Sequence, residues 1–233
     1  MCGRSSLTKT EKELEERFQA TFYSEDLERY NPLPNYNVAP THMMPVITNE
    51  VVLHFNVYRW GLIPFWAKDE KIGSKMINAR VETIIEKATY KNTFQKKRCL
   101  VPMDGFYEWK KEGKDKIPHR IVTTDQEIFS VAGMWESWKN PTGHTIHTFT
   151  VITLPANECM SKLHDRMPAI LPKDQEKLWL NNDLTREDAL SLLQPYESSK
   201  MDFYEVSNKV NKVSENDPSL IEKVPVIRQG SLF

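Results

Sequence analysis

Between residues 99 and 171 the chain runs through six short segments rich in β-branched and aromatic side chains, and this succession constrains the fold more than any other feature. The segments are residues 99–103, 105–110, 119–123, 128–135, 147–153 and 167–171. Such side chains fit the half-buried surface of a pleated sheet. Gly113 and the Asn140-Pro-Thr-Gly143 run supply the backbone for tight reversals between them. Proline outnumbers glycine, 14 to 8, and Phe, Tyr and Trp number 10, 8 and 6. That balance favours short strands and rigid turns over long helices. The expectation is an α+β fold: a single compact domain over residues 1–233, built around a curved, barrel-like and mainly antiparallel β-sheet with flanking helices.

The rest of the chain supplies further strands and the helices. Residues 45–49 and 51–60 read as strands, and the proline-rich stretch from Asn31 to Pro40 reads as a loop. A helix is predicted over residues 8–22, where Thr8 and Glu11 form a capping-box pattern and Leu14 and Phe18 share a face. Val81, Ile84, Ile85 and Ala88 at helical spacing predict a second over residues 79–90. Two more are predicted at 173–180 and 185–193, the latter behind a Thr185…Asp188 cap. The last ~10 residues are expected to be mobile.

Composition limits the function. With 39% hydrophobic and 27% charged residues the chain suits a globular protein. No apolar run is long enough to span a bilayer and no secretory signal is visible, so a cytoplasmic setting is expected, nucleoid-associated in a bacterium. Cys2, Cys99 and Cys159 have neither disulfide-framework nor metal-ligand spacing, and neither a metal nor a cofactor is expected. A net charge of −1 does not announce a nucleic-acid binder. Yet nine of the residues from Lys91 to Arg120 are Lys or Arg against four Asp or Glu, the pattern of either a solvated hairpin or a local anion-attracting surface.

Cys2 is the candidate nucleophile. Methionine before a small residue is readily removed, which leaves Cys2 with a free α-amine (pKa roughly 7.7–8.0) beside a thiol (pKa roughly 8.5). Amine and thiol on adjacent carbons suit aldehydes: the amine condenses to an imine and the sulfur closes a five-membered thiazolidine. By itself a cysteine at position two reads first as an accident of a frayed terminus, and other residues must tip the balance.

Six short motifs in order give it company. They are Met1-Cys-Gly-Arg4, Asn37-Val-Ala-Pro-Thr41, Trp60-Gly-Leu-Ile-Pro64, Asn78-Ala-Arg-Val-Glu82, Gly105-Phe-Tyr-Glu-Trp109 and Leu163-His-Asp-Arg-Met-Pro168. Together they resemble the SOS-response-associated peptidase (SRAP) family of abasic-site processing proteins, over nearly the whole chain. The resemblance implies a compact β-rich α+β fold with a cationic cleft for single-stranded DNA, and a covalent crosslink between Cys2 and the ring-opened aldehyde of an abasic site. It assigns Asn78 to hydrogen-bonding near the terminus and the opened sugar, and makes Glu108 and His164 the matching carboxylate and imidazole. A carboxylate beside the amine can shuttle its protons, and an imidazole can open the furanose or assist β-elimination. Without the resemblance, Asn78 reads equally as a helix N-cap and Glu108 as a surface strand residue.

Arg4, Arg80 and Arg166 each lie within two residues of a proposed catalytic group and are expected to line one cleft for phosphates. Trp66 is expected to wedge or stack beside the lesion, with Pro40 and Thr41 shaping the same wall. The Lys96-Lys-Arg98 run either extends this field or faces away. The other five histidines (His42, His54, His119, His144, His147) read as solvated or structural, and Cys99 and Cys159 as inert, partly buried thiols. The partner is thus single-stranded DNA carrying an abasic site, met by a monomer away from membranes. Two rivals stand: an N-terminal-nucleophile amidohydrolase using the same cysteine, and a non-covalent reader of single-stranded or modified DNA.

Overall fold

The computed structural model describes residues 2–23, 25 and 32–225. Its strands in chain order are β1 (Ser5–Leu7), β2 (Thr21–Phe22), β3 (Asn35–Val38), β4 (Met43–Thr48), β5 (His54–Trp60), β6 (Asn78–Arg80), β7 (Arg98–Met103), β8 (Gly105–Glu112), β9 (Asp115–Thr123), β10 (Phe129–Lys139), β11 (Thr145–Pro155), β12 (Arg166–Pro168), β13 (Ile170–Leu171) and β14 (Met201–Glu205). The helices are short: α1 (Glu11–Phe18), α2 (Ala88–Lys96), α3 (Glu158–Ser161), α4 (Glu176–Trp179) and α5 (Arg186–Ser191).

Five strands close a ring. Going round in the order β11, β10, β7, β4 and β5, each pairs antiparallel with the next, and β5 returns to β11 in parallel through Thr148↔Arg59 and Phe149↔Trp60. β7 is buried along its whole length and β10 and β11 through their middles. Strands covered on both faces carry near-continuous apolar runs, which is why Leu100–Val101, Val131–Ala132 and Val151–Ile152 sit side by side in the sequence. A second, antiparallel sheet runs β14, β9, β8, β1, β3. This α+β, barrel-like architecture is the one expected from the sequence.

Asp104 is the corner between the two sheets, since β7 ends at Met103 and β8 starts at Gly105. Its carboxylate accepts from Ser6 Oγ at 2.6 Å, from the Thr8 amide at 2.7 Å, from Thr8 Oγ1, and from Arg120 Nη2 at 3.1 Å. Asp104 and Arg120 are both buried, so the charges neutralise each other while three further donors fill the remaining lone pairs. The network pins β1, and therefore the chain leading back to Cys2, to β8 and β9. A continuous core cluster joins Leu7, Val38, Phe106 and Ile121 of the second sheet to Val101, Val131 and Phe149 of the ring. Tyr107, Val206, Val210 and Leu220 pack separately.

Local expectations fared unevenly. The first helix is shorter than 8–22: Thr10 caps it, with Glu13 completing the box, while Thr8 is taken by Asp104 and Thr21–Phe22 pairs with β5. The predicted loop before Pro40 contains β3, paired to β1; its first residue, Asn31, lies outside the described residues. The helix expected over 79–90 is absent. Asn78–Arg80 instead pair in parallel with Val151–Thr153 of β11, a 3₁₀ turn covers Val81–Thr83, and the α-helix waits until Ala88. The later strands extend beyond their expected ends, and 167–171 divides into β12 and β13. The expected helix at 173–180 begins as a 3₁₀ turn before α4, whereas Thr185 caps α5 as anticipated by accepting from the Asp188 amide. Most of the C-terminal segment expected to be mobile (226–233) lies outside the described residues.

Candidate active site

Cys2 lies just before β1, and its side chain is 1% exposed. Two strands hold its backbone. The Tyr107 amide of β8 donates to the Arg4 carbonyl at 2.9 Å. From the other side, Asn78 Nδ2 donates to the Cys2 carbonyl at 2.8 Å. Asn78 reaches this point because β6 lies alongside β11, with Asn78 opposite Val151. Its Oδ1 is buried without a hydrogen-bond partner among the described residues. It is therefore no helix cap.

The segment that delivers Asn78 is folded by a glycine pair. Gly61, at φ +121°, has the Gly73 carbonyl oxygen 2.6 Å from where its Cβ would stand. Side chains have no room there, and the positive φ is one that L-residues avoid. The loop between these glycines carries Trp66, and beyond Gly73 the Ile77 carbonyl accepts from Trp60 Nε1 at 3.0 Å.

Glu108 follows Tyr107 on β8, is buried at 4% exposure, and comes close enough to Cys2 for its charge to act on the thiol. Burial pushes the Cys2 thiol up to about 12, with Glu108 adding to the push. The thiol is thus protonated throughout the neutral range.

Glu108 opens into a cleft of about 530 Å³ lined also by Arg4, Trp109, Lys111, Lys116, His164 and Asn211. The Arg4 guanidinium forms part of its floor: Nη1 donates to Asn37 Oδ1 at 2.7 Å and to the Val210 carbonyl at 2.5 Å. Its carbon lies 6.0 Å from the Trp109 ring centroid, and Trp109 Nε1 donates to Asn211 Oδ1 at 2.7 Å. His164 Nδ1 lies 2.9 Å from the Arg166 amide nitrogen, which donates to it, and 2.7 Å from Asp165 Oδ1.

Cys2, Asn78, Glu108, His164 and Arg4 are therefore brought together; the other expected contact residues are spread more widely. Arg166 is buried and engaged: it forms a two-pronged pair with Glu82 and donates to the Thr153 carbonyl at 2.7 Å. Arg80 is exposed at the end of β6 and does not line the cleft. Pro40 is half-buried on the bend between Asn37, bonded to Arg4, and His42, whose pKa is lowered by burial and then by Arg4. Thr41 occupies a positive φ on that bend. Trp66 is 52% exposed beside Phe65 and lines a separate hollow of about 460 Å³ with Lys68, Asp69, Lys71 and Lys75.

The basic run from Lys91 to Arg120 does not act as one surface. Arg98 is buried, and four main-chain carbonyls accept from it (Phe94, Gln95, Trp179 and Asn181). Lys97 pairs with Glu136, and Arg120 with Asp104. Lys111 and Lys116 reach the cleft. Sequence reasoning did not single these two out, although counting outward from the Gly113 turn puts them opposite one another. Asn211 was also missed, and no local pattern marks it; Asn37 opens one of the six motifs but was given no role of its own, and His42 was read as solvated or structural.

Among the described residues no group of three or more His, Cys, Asp or Glu suits a metal ion. No helix there is long and apolar enough to cross a membrane.

Comparison with known proteins gives a consistent picture. The family model described as SOS response associated peptidase (SRAP) matches residues 1–213. The "Abasic site processing protein YoqW" of Bacillus subtilis is 45% identical over 225 residues, covering 95% of this chain and 99% of that protein. The "Abasic site processing protein HMCES" of Xenopus tropicalis is 31% identical, covering 96% and 78%. A crystal structure of a protein from Bacteroides thetaiotaomicron superposes with a TM-score of 0.90 at 34% identity, covering 96% of this chain and all of that one. With the family model spanning most of the sequence and relatives aligned from end to end, this chain belongs to the SOS response associated peptidase family.

Proposed function

We propose that this protein, acting as a single-domain monomer, captures abasic sites in single-stranded DNA covalently through Cys2 once Met1 is removed, by an aminopeptidase or by self-processing. The relatives named for abasic-site processing support the substrate class. The observation that carries the mechanism is the bond from Asn78 to the Cys2 carbonyl, which holds the residue beside buried Glu108 at the head of a cationic cleft.

The order of steps follows from the chemistry. The neutral α-amine attacks the ring-opened aldehyde first, since only nitrogen can form the imine that the sulfur then closes upon. Loss of water from the carbinolamine gives the imine. The Cys2 sulfur then adds to the imine carbon while its proton passes to nitrogen, so aldehyde and aminothiol become thiazolidine and water. Glu108 is the group that relays these protons. The open acceptor on Asn78 suits the amine or a sugar hydroxyl. His164 protonates the furanose oxygen as the ring opens, and the same imidazole can assist β-elimination from the imine, a lyase activity. Arg4 guides the strand within the cleft, with Pro40 on the bend near it, and Arg80 and the exposed Trp66 guide it outside the cleft, while Arg166 positions His164 through its neighbouring backbone.

The test mixes processed protein with a single-stranded oligonucleotide bearing one abasic site. An adduct that survives denaturing electrophoresis, and vanishes in Cys2→Ala or when Met1 is retained, is expected. The same adduct on undamaged DNA, or none on abasic DNA, overturns the proposal.

A further inference from the structure

We infer that Lys111 and Lys116, facing each other across the β8–β9 hairpin, form a clamp for one backbone phosphate of the DNA strand that enters the cleft. The inference rests on the function proposed above and adds the group that fixes the strand's position.

Lys111 and Lys116 are directly paired in the antiparallel ladder. Side chains directly opposite one another start about 4.5–5.5 Å apart, and like charges there destabilise the ladder. Both lysines are exposed and both line the cleft. Their neighbours are balanced differently. Lys110, on the opposite face of β8, is bonded to Glu112 at 2.6 Å. Glu112 itself faces Asp115 across the ladder. The cleft is lined by Arg4, Lys111 and Lys116, and Glu108 is the one carboxylate among its lining residues. Two ammonium groups carried on directly paired residues suit a tetrahedral oxyanion, and Trp109, two residues before Lys111 on the same face of β8, offers a flat ring to an adjoining base. A strand whose aldehyde lies against Cys2 carries its next phosphates along this wall.

The experiment measures the rate of adduct formation at subsaturating abasic oligonucleotide for wild type, K111Q/K116Q and K111R/K116R over a range of salt. Losing one phosphate contact on single-stranded DNA removes about 0.7 from the salt slope and slows capture roughly fourfold at ~0.15 M salt. The glutamine pair is expected to show that loss and the arginine pair to restore the rate. Replacing the phosphates beside the abasic site one at a time by neutral methylphosphonate is expected to find one linkage that slows wild type by the same factor and leaves K111Q/K116Q almost unaffected. The unfolding midpoint of K111Q/K116Q is expected to match or exceed wild type. A glutamine pair with wild-type rate and salt slope, linkage effects that multiply with the substitutions, or a lowered midpoint overturns the clamp. Failure of wild type to form any adduct overturns the proposed function instead, so the two failures are separable.

Discussion

Replacing Asp104 by asparagine removes one charge from the corner where the two sheets meet and leaves the shape nearly unchanged. Its side chain is 3% exposed and that of its partner Arg120 is 9% exposed. Removing one member of a buried ion pair typically costs about 3–5 kcal/mol, because the other charge stays buried without compensation. Here Arg120 keeps the Tyr204 hydroxyl at 2.9 Å and the Asp104 carbonyl at 3.1 Å. Asn also retains one acceptor oxygen for Ser6 or Thr8. The lower end, about 3 kcal/mol, is therefore expected, read as a fall in urea midpoint at constant m. Arg120→Met leaves the carboxylate its Ser6 and Thr8 donors, and the double variant should be less damaged than the two single losses added together. Because the network pins β1, Asp104→Asn should also slow capture by Cys2, even where the protein remains folded. A loss below about 1 kcal/mol, or strict additivity in the double variant, refutes the reasoning that the pair is buried and coupled.

Asn78→Ala should leave the thermal midpoint within a few degrees of wild type, since one part-buried hydrogen bond contributes about 1 kcal/mol; adduct formation on abasic DNA should fall at least tenfold as Cys2 loses its orientation. Gly61→Ala should cost about 2 kcal/mol or more by urea titration, since its Cβ meets the Gly73 carbonyl and its φ is unfavourable; a neutral result would mean that the two backbones separate freely. With Met1 retained, Cys2 alkylation, followed by site-resolved mass spectrometry, should be roughly a thousandfold slower near pH 8 than for an unshifted thiol, because the pKa rises from 9.0 to about 12. The sign is fixed by that direction: the thiol stays protonated, and its rate climbs about tenfold per pH unit beyond pH 9 instead of levelling off there. A plateau near pH 9 contradicts the burial argument.

The strands from 98 to 155 were legible because their signals are local. β-branched and aromatic runs separated by Gly113 and Asn140-Pro-Thr-Gly143 leave few other conformations open. Segments whose state depends on distant partners were misread. Val81, Ile84 and Ile85 have helical spacing, yet the residues before them are drawn into parallel pairing with β11, more than seventy positions away. Thr8 looked like a helix cap until Asp104 claimed it. The site was legible as a set of motifs, and Cys2, Asn78, Glu108 and His164 do converge. The use of each cation was not, because an arginine in sequence does not reveal its acceptor. Arg166 finds Glu82, eighty-four positions away, and Arg98 finds carbonyls of α2 and α4.

The shortest ladders of the ring are β5–β11 and β4–β7, each of two residue pairs, whereas β10 and β11 share seven. A sheet bent into a closed circle opens first where its ladders are shortest. The β5–β11 seam adjoins Trp60, from which the chain departs on the excursion that ends at Asn78. Amides along that seam should therefore exchange with solvent sooner than those between β7 and β10, marking a hinge line through which the wall behind Cys2 can yield while the longer β7–β10 and β10–β11 ladders stay shut.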